Sequence, residues 1–374
     1  MKKTSGKIIY VVSLVNKSYG FEWLADALKK KSYDLVFILL NPGNTSLEEY
    51  LVSNKIKVYR VYYSRKKDFL SAFLKVFKIL LKEKPDIVHC HLFEANLIGL
   101  ATARLLGIKK RVYTRHHSTL HHYYYPNGVK YDKLVNWLST DIIAISQIVK
   151  EVLISMDKAD KKKIHMVPHG FNLDFFEFID ADRLEKFRLK YKIKPNKKPI
   201  IGVISRYVDW KGIQYIIPAF KKFLENYPDS FLILANAQGL YKNHIEYLLK
   251  QLPQGSYVEI EFEEDLLALY KSFDMFIHVP VDEHSEAFGQ IYVEALAAGV
   301  PSVFTLSGIS KEFIKDKENA LVVDFKNSYQ IYEALMQLMQ NEFLRTKLIT
   351  NGKLSVKNFS MDKYVSELIK VYES

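Results

Sequence analysis

Two carboxylates stand eight residues apart in HSEAFGQIYVEALAAGVPSVFT, residues 284–305, and the residues around them decide what they could do. Glu286 precedes a turn at Phe288 and Gly289, and Glu294 follows in a helical run from Gln290 to Ala298. Gly289 admits a ligand close to the backbone, and the free N–H groups of the helix behind it favour a phosphate. Glu294, about a turn and a half into the helix, can face the same ligand further along. Gly299 and Pro301 then end the helix and return the chain to a buried strand, Ser302 to Thr305. The competing reading is an ordinary amphipathic helix with two solvated glutamates, against which Phe-Gly at the entrance and Gly-x-Pro at the exit both count.

A second unusual stretch is TRHHSTLHHYYYPNGVKY, residues 114–131, with four histidines and four tyrosines. It is too polar and irregular for a core strand. Aromatic faces beside hydrogen-bonding imidazoles suit sugar rings and their hydroxyls, whereas the alternative is a mobile surface loop with incidental histidines. Upstream, His89 and His91 are two apart in a strand and so share a face. Cys90 points to the other side and no third ligand lies nearby in sequence, so no metal is expected there.

These groups need a scaffold. A chain of 374 residues, 48% of them hydrophobic, is long enough for two α/β domains with separate cores. Its single cysteine, Cys90, excludes an internal disulfide and suits a reducing cytoplasm. MKKTSGKIIYVVSLV has the look of a leader, but the apolar run Ile8 to Val15 is short and lacks a small-residue cleavage site, so it is expected to be the first buried strand. No apolar stretch is long enough to cross a bilayer.

Short apolar runs alternate with helical-period segments: strands Lys7 to Leu14, Leu35 to Leu40, Lys57 to Val61, Ile87 to His91, Arg111 to Thr114 and Asp141 to Ser146 in the first half. The rhythm resumes with strands Ile200 to Ser205, Phe231 to Ala235, Val258 to Phe262 and Met275 to Val279. It predicts two doubly wound parallel sheets. The charged segment Phe175 to Lys198, bounded by Pro195 and Pro199, reads as an interdomain linker with a short helix. Residues 1–180 carry 29 Lys+Arg against 17 Asp+Glu and the remainder 25 against 25, so the whole excess of +12 lies in the first half. Such a surface favours an anionic partner such as acidic lipid or a diphosphate-linked acceptor, with nucleic acid not expected. Residues 65–84 form a basic amphipathic helix whose stripe, Phe69, Phe73, Phe77 and Leu80, either packs on the sheet or rests on an anionic membrane.

E-A-F-G-Q-I-Y-V-E-A-L-A-A-G-V-P resembles the E-x7-E signature of retaining nucleotide-sugar glycosyltransferases of family 4, which have the GT-B fold. The resemblance extends to S-R-Y-V-D-W-K-G at 205–212, similar to the family's G-R-x4-K-G, to Thr114-Arg115-His116, similar to its T-x-H, and to M-V-P-H-G-F-N at 166–172. Departures are Ser205 for glycine, His169 and Asn172 for Asn and Asp, and a lone Gly20 where the first loop often has paired glycines.

The resemblance implies an acceptor-binding Rossmann-like domain over 1–178, with the last helix, 360–374, packing back on it, and a donor-binding Rossmann-like domain over 179–359. It implies a cleft between two sheet domains and a metal-independent hexosyltransferase that uses no cofactor. Arg206 and Lys211 would hold the donor diphosphate, Glu286 the transferred sugar and Glu294 the ribose. Phe288, Gly289 and Gln290 would offer backbone contacts to the donor. His116, with His117 as fallback, and Gly20 would face the acceptor. Catalytic roles then fall to Glu286, His116, Arg206 and Lys211. The expected donor is a UDP-sugar and the acceptor a glycan or lipid-linked glycan of a surface polysaccharide, handled in the cytoplasm with possible peripheral contact with an anionic membrane. A nucleotide-sugar epimerase, a sugar-phosphate synthase or a non-catalytic binding protein of the same fold are the alternatives.

Overall fold

The structure, a computed structural model, describes residues 6–374, so Met1 to Ser5, the start of the apparent leader, lie outside the described residues. The chain forms two compact units, one of residues 1–171 with 359–374 and one of residues 172–358.

The first unit is built on seven strands: β1 (Lys7–Ser13), β2 (Asp34–Asn41), β3 (Lys57–Tyr62), β4 (Ile87–His91), β5 (Lys110–Arg115), β6 (Asp141–Ala144) and β7 (Ile164–Met166). Their order is β3-β2-β1-β4-β5-β6-β7, all parallel. Strand β1 is buried from Ile8 onward because it is central and helices cover both faces of a parallel sheet. The leader-like run is therefore the middle of a core.

Helix Ser46–Ser53 and strand β7 are among the elements here that were not expected. Helix Ser46–Ser53 is short and weakly amphipathic; its clearest marker is Thr45, whose hydroxyl accepts from the Glu48 N–H at 3.1 Å. Strand β7 has only three residues, too few for a periodic signal. Helix Met361–Glu373 packs on helix Tyr19–Lys30 in this unit. Gly170 is required by that docking, since a Cβ there would lie 2.4 Å from Tyr364 Cβ.

The second unit has six parallel strands: β8 (Ile200–Ile204), β9 (Phe231–Ala235), β10 (Tyr257–Ile260), β11 (Met275–His278), β12 (Ser302–Phe304) and β13 (Leu321–Val322), in the order β10-β9-β8-β11-β12-β13. Both sheets reverse direction beside their first strand, the arrangement that opens a crevice at the carboxyl ends of the strands. The segment expected as a linker is an integral part of this unit. Its helix, Ala181–Lys190, is held by Arg183, which donates twice to Asp265 at 2.6 Å, and by Lys190 and Tyr191, which bond to Glu263. Asp180-Ala181-Asp182 in the same segment has the Asp-x-Asp spacing of a metal site, but Asp180 instead caps the helix, accepting from the Asp182 N–H at 2.8 Å.

Candidate active site

In the second unit the loop after β8 carries Arg206 and Lys211, and it is pinned to the end of β11. The Val281 N–H donates to the Trp210 carbonyl at 3.1 Å. Gly212, at φ +77°, lies so close to this strand end that a Cβ would be 1.8 Å from the Val279 carbonyl oxygen, so only glycine fits. This close approach delivers Lys211 to Glu286.

Lys211 Nζ and His278 Nε2 both donate to Glu286 Oε1, the second at 2.8 Å, and the Glu286 N–H is held by Ser307 Oγ at 3.0 Å. Glu286 is buried. Burial by itself would raise its carboxyl, but the Lys211 charge and then the His278 hydrogen bond outweigh it and hold Glu286 down at about 2. Burial lowers His278, which therefore donates as a neutral imidazole while Glu286 is ionised. Phe288 is buried, its carbonyl accepting from the Ile309 N–H at 3.0 Å, and Gly289 begins helix Gln290–Ala297 at φ +83°. A Cβ on Gly289 would be 2.6 Å from the Tyr292 ring, so the turn admits no other residue without displacing that tyrosine. Gln290 is exposed in the first turn of the helix, where backbone N–H groups lack partners within the helix.

The other acid differs. Glu294 is buried and accepts from the Tyr270 hydroxyl at 2.8 Å, with no cation among the described residues bonded to it, and burial raises it to about 7. Arg206 is exposed at the strand end, and no ion pair among the described residues involves it. The structure thus joins Lys211 to Glu286, places Glu294 in a separate tyrosine-lined environment, and leaves Arg206 facing solvent.

His278 and Ser307 were not anticipated. A polar residue ending the apolar strand Met275–His278 was the available signal for His278. Ser307 gave none, since it reaches Glu286 only through the fold.

In the first unit the histidine-rich stretch is tied together by ion pairs and hydrogen bonds. Arg115 is fully buried and pairs with Asp132 at 2.8 Å and Asp157 at 3.0 Å. His121 bonds Asp132 and His122 bonds Asp157, each at 2.7 Å, while His117 Nε2 lies 3.4 Å from Asp132. Three of the four histidines are thereby committed to two aspartates.

His116 turns the other way. Its Nε2 is 3.0 Å from His91 Nδ1, and its ring stacks on His169 at 5.4 Å and 15°. Burial lowers His169 to about 4 and, reinforced by the neighbouring imidazoles, lowers His116 and His91 well below the usual histidine range. His91 Nε2 is buried without a hydrogen-bond partner among the described residues. His89 is spoken for by the Tyr372 hydroxyl at 2.7 Å and Thr114 Oγ1 at 2.9 Å. Geometry therefore separates His116 from its fallback His117, which sequence alone left open.

Gly20 lies in the first turn of helix Tyr19–Lys30, not in the preceding loop, and a Cβ there would meet nothing nearer than Ser18 Oγ at 3.8 Å. Packing does not require glycine at that position.

Among the described residues, His117, His121 and Asp132 come nearest to a metal-ligating set, their ligand atoms lying within 4.8 Å of one another. Arg115 already supplies the positive charge on that carboxylate.

Two parallel-sheet units, with a buried cation–carboxylate pair at a strand end beside a glycine-headed helix, define an enzyme of the GT-B class. Residues 22–175 match the family Glycosyltransferase Family 4, and residues 185–355 match Glycosyl transferases group 1. The capsular polysaccharide biosynthesis glycosyltransferase CapM of Staphylococcus aureus is 29% identical over 82% of this chain and 81% of its own length. The UDP-Gal:alpha-D-GlcNAc-diphosphoundecaprenol alpha-1,3-galactosyltransferase of Escherichia coli is 23% identical over 81% of this chain and 79% of its own. Among solved structures, Anabaena HepE in complex with UDP and glucose superposes with a TM-score of 0.83 at 16% identity, covering 98% of this chain and 99% of that one. The chain is a glycosyltransferase with the GT-B fold.

Proposed function

We propose that this enzyme transfers a hexose from a UDP-sugar to a glycan or lipid-linked glycan acceptor in surface polysaccharide synthesis, with retention of configuration and without a metal. The observation that carries this reading is the Lys211–Glu286–His278 arrangement at the entrance to helix Gln290–Ala297. Breaking the sugar–phosphate bond places negative charge on the departing diphosphate. Lys211, Arg206 and the backbone N–H groups behind Gly289 stabilise that charge where it develops.

Both bonds to Glu286 fall on Oε1, so Oε2 serves the hydroxyls of the transferred sugar. Glu294 accepts from the ribose hydroxyls. His116, neutral and held by His91, receives a hydrogen bond from the acceptor side, and the departing phosphate helps remove the acceptor's proton. The galactosyltransferase relative is named for a UDP-sugar and a diphosphoundecaprenol acceptor, and HepE was solved with UDP and glucose; both support the choice of donor and acceptor class.

Incubating the protein with UDP-, GDP- and ADP-sugars and a diphosphate-lipid acceptor, with and without EDTA, tests the proposal. Transfer from the UDP-sugar, unaffected by chelator and giving an α-linked product from an α-linked donor, is expected. Epimerised or phosphorylated sugar with no acceptor adduct would overturn it in favour of an epimerase or synthase. Donor turnover equally slow in wild type and Glu286→Ala would favour a binding protein.

A further inference from the structure

Glu286 is held by groups of unequal freedom. Gly308, at φ +62°, closes behind it so tightly that a Cβ there would lie 2.8 Å from Glu286 Cβ and 2.7 Å from the Phe288 carbonyl oxygen, so the acid has no room to draw back. His278 ends β11 and is 1% exposed, its ring edge-on to Tyr292 at 4.9 Å and its backbone carbonyl accepting from the Thr305 N–H at 3.3 Å. Lys211 comes from a loop, and its side chain is 16% exposed. The imidazole is therefore fixed in the sheet, whereas the ammonium, on its long flexible stem, can follow a ligand.

These two donors share one oxygen. Lys211 Nζ and His278 Nε2 both reach Glu286 Oε1, and no other cation among the described residues pairs with this carboxylate. Combined with the reading of Lys211 as a ligand of the donor diphosphate, on which the inference below rests, the sharing sets up a competition. Before the donor arrives, Lys211, Arg206 and Glu286 sum to one positive charge. A sugar nucleotide brings the two negative charges of its diphosphate, which leaves one negative charge in excess beside a buried carboxylate. Lys211 cannot neutralise both anions, so the proton affinity of the group that stays on Oε1 rises.

That group is His278. Among the described residues, the charged groups acting on it are Glu286, on the loop after β11, and Lys211, on the loop after β8. Helix Gln290–Ala297 presents Tyr292, whose hydroxyl donates to the Thr305 carbonyl at 3.0 Å and which burial keeps neutral. On β12 and just beyond it, Phe304 and Thr305 carry nothing that titrates. Without a ligand, burial keeps the imidazole neutral, so a change of its charge would be a consequence of binding.

We infer that His278 is a proton-linked positioning residue: when the donor's diphosphate draws Lys211 away from Glu286, His278 takes up a proton from solvent and holds the carboxylate as an imidazolium. Its first ring proton already sits on Nε2, where the ionised Glu286 accepts it, so the second goes to Nδ1. The site returns to zero net charge, and Oε2 stays available to the sugar hydroxyls. Donor binding and proton uptake thus become one event.

Calorimetric titration of the full-length protein with UDP-glucose, in buffers of different ionisation enthalpy, tests this. The diphosphate of that probe does not titrate near neutral pH, so any proton taken up belongs to the protein. Wild type is expected to take up roughly one proton per donor bound at about pH 7, and its affinity to fall by about tenfold per unit as pH rises from there. His278→Gln keeps a neutral N–H donor for Oε1 and should bind with no uptake and no such dependence on pH. Glu294→Gln should leave the uptake in place; its loss there would move the proton to the other acid of this unit, which lies near neutrality, and overturn the inference. A readout that needs no variant is NMR of wild type labelled at histidine, in which one imidazole should pass from neutral to doubly protonated on saturation with UDP-glucose. No such change, binding indifferent to pH, or uptake that persists in His278→Gln each overturns the inference. Failure to bind UDP-glucose overturns it together with the donor reading. Binding with proton uptake but no transfer to any acceptor would count against the proposed function and leave the role of His278 standing.

Discussion

The two units each gather titratable groups near the carboxyl ends of their central strands, and they do so in opposite electrical states. Lys211 and Glu286 form a buried ion pair steadied by a neutral His278. His91, His116 and His169 are packed ring against ring with every imidazole driven toward the neutral form. The first cluster suits a ligand whose charge grows as a bond breaks. The second suits an uncharged hydroxyl that must be oriented without being ionised. The difference teaches that burial alone does not set protonation: a buried carboxylate stays charged where a cation touches it, and buried imidazoles stay neutral where only other imidazoles do.

The largest test of that contrast removes the cation. Lys211→Met should lower kcat/KM by about a hundredfold or more. It should also cost about 3 kcal/mol of stability, because Glu286 is left as a buried anion. Adding Glu286→Gln should restore much of the stability and none of the transfer. Steady-state kinetics and denaturant melts read both, and a single variant within about threefold of wild type would remove Lys211 from the scheme.

Next in size, His116→Ala should lower kcat by about a hundredfold with donor affinity kept. His117→Ala, one residue away but committed to Asp132, should fall within about threefold of wild type. Equal losses in the two would mean that the cluster acts as structure and not on the acceptor.

A smaller effect separates the units by pH. Below about pH 6.5 the unfolded chain takes up protons that the folded first unit refuses, so its stability falls as pH drops toward about 4, where His169 titrates. Glu294 has the opposite sign: its folded value, about 7, exceeds the ordinary one, so its contribution is fully present below about 4.5 and is lost as pH rises through 7. Glu286, held at about 2, loses its contribution only as pH falls from about 4.5 toward that value. Between pH 7 and pH 5 the first unit should therefore weaken, while in the second Glu294 adds on the order of 2 kcal/mol against the loss from His278, whose lowered value has the same sign as that of His169. Hydrogen exchange corrected for intrinsic rates reads each unit separately, and Glu294→Gln should abolish the gain. A second unit whose response to pH is the same with and without Glu294→Gln would show the state assigned to Glu294 to be wrong.

Smallest of all, Gly20→Ala should leave transfer unchanged and raise stability by up to about 1 kcal/mol, as expected for alanine in a helix. A large loss of activity would restore Gly20 as a point of backbone contact.

Much of the architecture could be read in advance because parallel strands buried on both faces are long apolar runs, as in Ile8 to Val12 and Phe231 to Ala235. Glu286 was legible from its place before the Phe-Gly turn, and Lys211 from the resemblance of residues 205–212 to a family motif. His278 and Ser307 were not, because their roles depend on strands β11 and β12 lying side by side, which periodicity does not encode. The histidine-rich stretch was only partly legible for a related reason. Its fixed points, Asp132 and Asp157, lie beyond or at some distance from it, and only folding brings Arg115 between them.

The chain crosses from the first unit at Phe171 and re-enters it at Phe359, where the Phe171 N–H donates to the Phe359 carbonyl at 2.8 Å. Order of synthesis follows from that. The second unit has its whole sequence once residue 358 has emerged, whereas the first must wait for Tyr372, whose hydroxyl completes the bonding of His89. The half that is translated first is the half that matures last, and a ribosome stalled between the two would display a finished second unit and an open, basic, unfinished first one.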